Sequence, residues 1–198
     1  MRTPTAAKIL VPALASLAFA SSAAFGRPAS EPVYVRPSIA VYEGDPEQVR
    51  LVRWAAGRFE QAALDIPTGE IHFHGSSSGC GGHLGYAQIG RVDVCTVLVN
   101  EMARRNLLHE MGHIWVDQNV SQRVRERFLE VRHLSTWNAS TDPWDERGYE
   151  QGAEIMAWGL GTRTLTAQIP DNRPEQLRAG FELLTGVAPP DPPTVETK

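Results

Sequence analysis

Two histidines and a glutamate stand close together in the run His109-Glu110-Met111-Gly112-His113. On a helix this spacing sends both imidazoles out of one face, a turn apart. Two nitrogens so placed can share one zinc ion at about 2.0–2.1 Å. Glu110 leaves the helix beside them, where its carboxylate can hold a water and take its proton, a step the metal eases by acidifying that water. Leu107, Leu108, Met111, Ile114 and Trp115 make the rest of the segment apolar. The helix therefore has reason to be buried with its ligands turned into a cleft. The plain alternative is an amphipathic helix whose histidines only hydrogen-bond.

A zinc centre that does chemistry usually has three protein ligands and one open position. The continuation H-E-x-x-H-x-x-G-x-x-H fails, because Val116 occupies the glycine position and Asn119 the third histidine position. The other continuation places a glutamate on a later helix in an E-x-x-x-D/E arrangement. Glu150-Gln151-Gly152-Ala153-Glu154 supplies it. Both carboxylates share a helical face, so one can bind metal while the other hydrogen-bonds the back of a ligating imidazole. Asp117, one turn after His113, is a candidate to orient that histidine or an ordinary solvent-facing acid.

On these residues the chain resembles the gluzincins, the thermolysin-like branch of zinc metallopeptidases, in a compact form. The wider stretch from Glu146 to Leu160 is similar to small exported proteins of actinobacterial type. The resemblance implies a zincin-like α+β fold with a backing helix, a small sheet whose edge strand receives peptide, an active-site helix and a glutamate helix. It implies zinc held by His109, His113 and Glu150, with Glu110 as catalytic base and Glu154 behind a histidine. Peptides or proteins are the implied substrates. Such enzymes add a later His or Tyr that stabilises the oxyanion; no histidine follows His133, so Tyr149 and His133 are the candidates. Two other readings stay open: a catalytically silent zinc-binding protein, and another zinc hydrolase such as a cell-wall amidase. A silent site has no need of Glu110, and no saccharide-binding module speaks for the amidase.

The elements that must position these residues can be read from periodicity and caps. Residues 31–44 read as extended, interrupted by Pro37. A helix follows, with Asp45 as N-cap, Pro46 at its first position and Gln48 completing a capping box. Val52, Ala55, Phe59 and Ala62 form its core stripe, and Ile66-Pro67 ends it. Strands are expected at 71–74 and 92–99, with 86–89 able to pair beside them. His72 and His74 share one strand face, more readily a solvated face than a site. Helices are expected at 101–118, at 122–132 behind Ser121 with Val124, Phe128 and Val131 inward, from Asp142-Pro143 to Gly159 or Gly161, and at 174–184. Trp137 and Trp144 flank a connection that is either core packing or a wall of the site. The expected architecture is α+β, with a small sheet in the N-terminal half and helices dominating the C-terminal half.

The 198 residues, 42% hydrophobic and 21% charged, suit one domain, expected at 31–187. Arg2 and Lys8 precede an apolar run to Ala20, and Ala18-Phe19-Ala20 offers a cleavage site, so residues 1–20 read as a signal peptide with cleavage possible up to about residue 24. That run is too short to span a bilayer comfortably, so a secreted, extracellular protein with no membrane partner is expected. Cleavage after Ala20 leaves 17 basic residues against 23 acidic ones, which excludes the basic surface that nucleic acid requires. Cys80 and Cys95 suit one disulfide in an exported chain; a metal site at Cys80-Gly-Gly-His83 lacks a second ligand pair. Residues 188–198, with four prolines, read as a fraying tail.

Overall fold

The computed structural model describes residues 31–96 and 98–192; the predicted signal peptide and the last six residues lie outside them. It is a mixed α/β protein with a five-stranded sheet in its N-terminal half and helices in its C-terminal half. The strands are β1 (Val33–Arg36), β2 (Ile39–Tyr42), β3 (Gly69–Phe73), β4 (Gly85–Gln88) and β5 (Arg91–Val94). Their spatial order is β1-β2-β3-β5-β4. The inner strands β2, β3 and β5 run parallel, and both edges, β1 and β4, are antiparallel to their neighbours. Pro37 thus marks a reversal between two strands.

The helices are α1 (Pro46–Gln61), α2 (Glu101–Asn119), α3 (Gln122–Arg132), α4 (Gly148–Leu160) and α5 (Pro174–Thr185). The α1 capping box is formed: Asp45 Oδ1 accepts from the amides of Glu47 and Gln48, both at 2.8 Å, and Gln48 Oε1 accepts from the Asp45 amide at 2.9 Å. Val52, Ala55, Phe59 and Ala62 are buried, as is the central run of α2 from Leu107 to Val116. Phe128, Phe181, Ile155 and Met156 complete a core shared by the sheet and all five helices. Among the described residues, no helix is long and apolar enough to cross a membrane.

Three expectations shift. The strand predicted over 92–99 ends at Val94; the next amide, Cys95, still donates to the Leu84 carbonyl at 2.9 Å while its side chain is joined to Cys80. The helix predicted from Asp142-Pro143 begins only at Gly148, after a 3₁₀ turn over Trp144–Glu146. Arg147 is extended (φ −89°, ψ 131°), and its guanidinium holds the Asp142 carbonyl at 2.7 Å, which keeps that turn separate from α4. In α3 the inward position is Arg132 rather than Val131, because Gln151 and the backbone of Pro170 and Asp171 satisfy the guanidinium. The described start of the tail meets the body at two points: Arg58 donates to the Asp191 carbonyl at 2.9 Å and Arg163 to that of Pro190 at 2.6 Å.

Candidate metal centre

Two helices and an edge strand build the site. Within α2, His109 and His113 are buried on one face, a turn apart. Helix α4 crosses against that face with Glu150 in its first turn. The close approach needs Gly112, where a Cβ would stand 3.0 Å from Met156 Cβ. His109 Nε2 and His113 Nε2 are 3.1 Å apart, and Glu150 Oε2 lies 3.3 Å from the first and 3.2 Å from the second. Donors set tetrahedrally around an ion with bonds of about 2.0–2.1 Å stand about 3.3 Å apart. This near-equilateral triangle therefore fits one small divalent cation, and among the described residues it is the one cluster with that property.

Glu154, one turn after Glu150, is 2% exposed at its side chain and lies behind His109, with Oε1 3.2 Å from Nδ1. The angle there falls short of a formed hydrogen bond. Arg105 donates to Glu154 Oε1 at 2.6 Å, and the Gln168 amide to Oε2 at 3.2 Å. Burial alone would push this carboxyl up; His109, Arg105 and the Gln168 amide hold it below its usual range. Arg105 was not singled out from the sequence, although it precedes His109 by four positions and so shares its helical face.

Glu110 points across the floor of the cleft toward β4. A Cβ at Gly85 would come within 2.5 Å of Glu110 Oε1, so any larger residue there would displace the Glu110 side chain. Burial raises the Glu110 carboxyl to about 7, with His109 opposing and Glu150 adding to the rise. Burial also works against charge on both histidines. Glu150 and Glu154 reverse this at His109, which rises to about 9, whereas His113 stays below its ordinary value. Glu150 is raised by burial but brought down to about 2 by the two imidazoles. A cation among these groups favours their deprotonated, ligating forms.

The cleft encloses about 850 Å³. Tyr149 enters it, its ring stacked on His113 with centroids 4.1 Å apart and its hydroxyl donating to Asp117 Oδ2 at 3.1 Å. Of the two readings of Asp117, its position matches the solvent-facing acid: it is exposed and accepts from Tyr149 and, at 3.4 Å, from Arg125, while among the described residues His113 Nδ1 has no hydrogen-bond partner. His133 lies outside the cleft lining: it is exposed and ends α3 in the left-handed region at φ 56°. Trp144 covers His109 (5.8 Å between centroids), while Trp137 packs against Phe128 and Tyr149.

The remaining candidates are structural. His72 stacks on Tyr42 and meets Glu70 at 3.0 Å, and His74 meets Asp93 at 2.6 Å, both away from the cleft lining. Cys80 and Cys95 are joined in a disulfide, which removes the alternative metal site at Cys80 and His83. His83 instead lines the cleft. Comparison with family models, with curated proteins and with solved structures returned no match.

Proposed function

We propose that this chain is an exported zinc-dependent peptidase. The observation that carries the reading is the triangle of His109, His113 and Glu150, with edges of 3.1–3.3 Å, set beside a buried Glu110 that, among the described residues, no hydrogen bond holds. Two imidazoles and a carboxylate suit zinc among the common divalent ions. When bound, zinc supplies a Lewis acid that polarises a carbonyl and acidifies water. Glu110 accepts the proton of the attacking water and delivers it to the departing amine nitrogen, so the peptide C–N bond breaks as a C–O bond forms. Glu154, fixed by Arg105, orients His109. Tyr149 supplies the hydroxyl that turns from Asp117 to the substrate oxygen.

The peptide reading draws support from β4. This strand pairs only with β5 among the described strands, and Gly85, Ala87 and Gln88 line the cleft. Its open edge offers backbone groups that an extended peptide can pair with.

The test is a pair of variants. Glu110→Gln should keep zinc and lose about 10²-fold or more of its hydrolysis of casein, since an amide cannot take the water's proton. Glu150→Ala should lower zinc content. Full activity in the first, or tight stoichiometric zinc in the second, would show the roles to be wrong. Cleavage of peptidoglycan fragments but not casein would favour an amidase, and zinc binding with every substrate intact a silent protein.

A further inference from the structure

We infer that the wall of the cleft formed by α3 and the 137–147 connection recognises a carboxylate of the substrate, through Arg147 and Arg125. This inference rests on the peptidase reading for the chain that brings the carboxylate. Arg147 Nε donates to the Asp142 carbonyl at 2.9 Å, and Nη2 to the same carbonyl at 2.7 Å and to that of Ser140 at 3.4 Å. These carbonyls fix the guanidinium plane but carry no net charge. Among the described residues, no carboxylate lies within ion-pair distance (4.0 Å) of Arg147. The carboxylate of Asp142 itself is turned to Thr136 and Thr141.

Arg125 is built in the same manner. It donates to the carbonyls of Val120 at 3.1 Å and Val116 at 3.2 Å, and its guanidinium lies 5.2 Å from the centre of the Trp137 ring. Among the described residues the one acid within ion-pair distance of it is Asp117 at 3.4 Å, which also accepts from Tyr149. Both arginines line the cleft, while its other acids, Glu110 and Glu150, belong to the metal centre. Asp142, Asp145 and Glu146 of the connection lie outside the cleft lining, so the lining here sets two guanidinium groups, both locked by backbone carbonyls, against the single acid Asp117. A guanidinium fork held in place fits the planar, two-oxygen geometry of a carboxylate. In a peptide that group comes from an Asp or Glu side chain or from the chain's own C-terminus.

The test is calorimetric titration of zinc-loaded Glu110→Gln protein with alanine-based octapeptides. One glutamate is moved stepwise along the peptide and compared with glutamine at each place, with free and amidated C-termini. A carboxylate at one fixed place should tighten binding about tenfold, and the gain should shrink as salt is raised. A gain that follows the glutamate assigns the side chain as source; one that disappears on amidation assigns the C-terminus. Arg147→Gln and Arg125→Gln should each reduce the gain without abolishing binding of the glutamine peptides, and Arg147→Lys should restore part of it. Equal affinity of acid and amide peptides for the parent overturns the inference, whether or not the arginine variants fold. So does a gain untouched in both folded variants. Mass analysis of peptides incubated with the unmutated protein reports separately on the peptidase reading: peptides that bind with the carboxylate gain yet stay uncut would refute that reading and leave this one standing.

Discussion

Asp93 shows how much one side chain can hold. It lies on β5 with its side chain only 5% exposed, and it accepts from Arg91 Nη2 and His74 Nε2, each at 2.6 Å. Burial alone would raise its carboxyl, but Arg91 and His74 bring it below its ordinary value. A carboxyl lowered on folding adds stability that is full above its unfolded value of about 3.9 and is lost as pH falls through the folded one. Asp93→Asn should therefore cost about 1–2 kcal/mol at pH 7, a figure kept small because the Arg91 side chain is 42% exposed. The difference should shrink as pH is lowered through the folded value, and urea unfolding over a series of acid pH values measures it. The spacing of His109 with His113, and of Glu150 with Glu154, was legible because helical periodicity alone puts each pair on one face. The roles of Asp117 and Gly85 were not. Each depends on a partner from a distant part of the chain, Tyr149 for the first and Glu110 for the second.

At the scale of elements, the site is a contact between α2 and α4, and its spacing is set where neither histidine nor glutamate lies. Gly112 lets the two helices approach until a Cβ would stand 3.0 Å from Met156 Cβ and 3.4 Å from Ala153 Cα. Gly112→Val should push α4 away from α2, destabilising the fold by about 1–3 kcal/mol through overpacking. Because Glu150 moves with α4, zinc affinity should fall as well, and metal titration alongside thermal unfolding checks both. A loss of stability with unchanged zinc affinity would mean that the triangle does not depend on this contact. Helices α1, α2, α3 and α5 were readable from their apolar intervals and from the caps Asp45 and Ser121. The start of α4 was not, since Asp142-Pro143 has the chemistry of a helix start while the extended backbone at Arg147 delays it to Gly148. Arg132 misled for a related reason: hydrophobic periodicity has no means of marking a buried cation whose acceptors lie on α4 and in the segment after it.

Across the whole molecule, the described tail joins parts that are far apart in the chain. Arg58 on α1 is buried, and one of its acceptors is the Asp191 carbonyl, 133 positions downstream. Arg163 holds the neighbouring Pro190 carbonyl in the same way. This arrangement bears on the order of events during synthesis. As the chain emerges, α1 appears early with a guanidinium that lacks part of its hydrogen bonding until residue 191 has been made, and α5 must also arrive before Phe181 can close the core. The fold should therefore reach its full stability only once nearly the whole described chain has been made. A chain ending at Val187 reproduces that incomplete stage. It should be less stable by about 1–3 kcal/mol, the penalty of a buried donor short of its acceptor, and should be cut faster by trypsin than the full chain. Equal protease resistance of the two would mean that full stability does not wait for the tail.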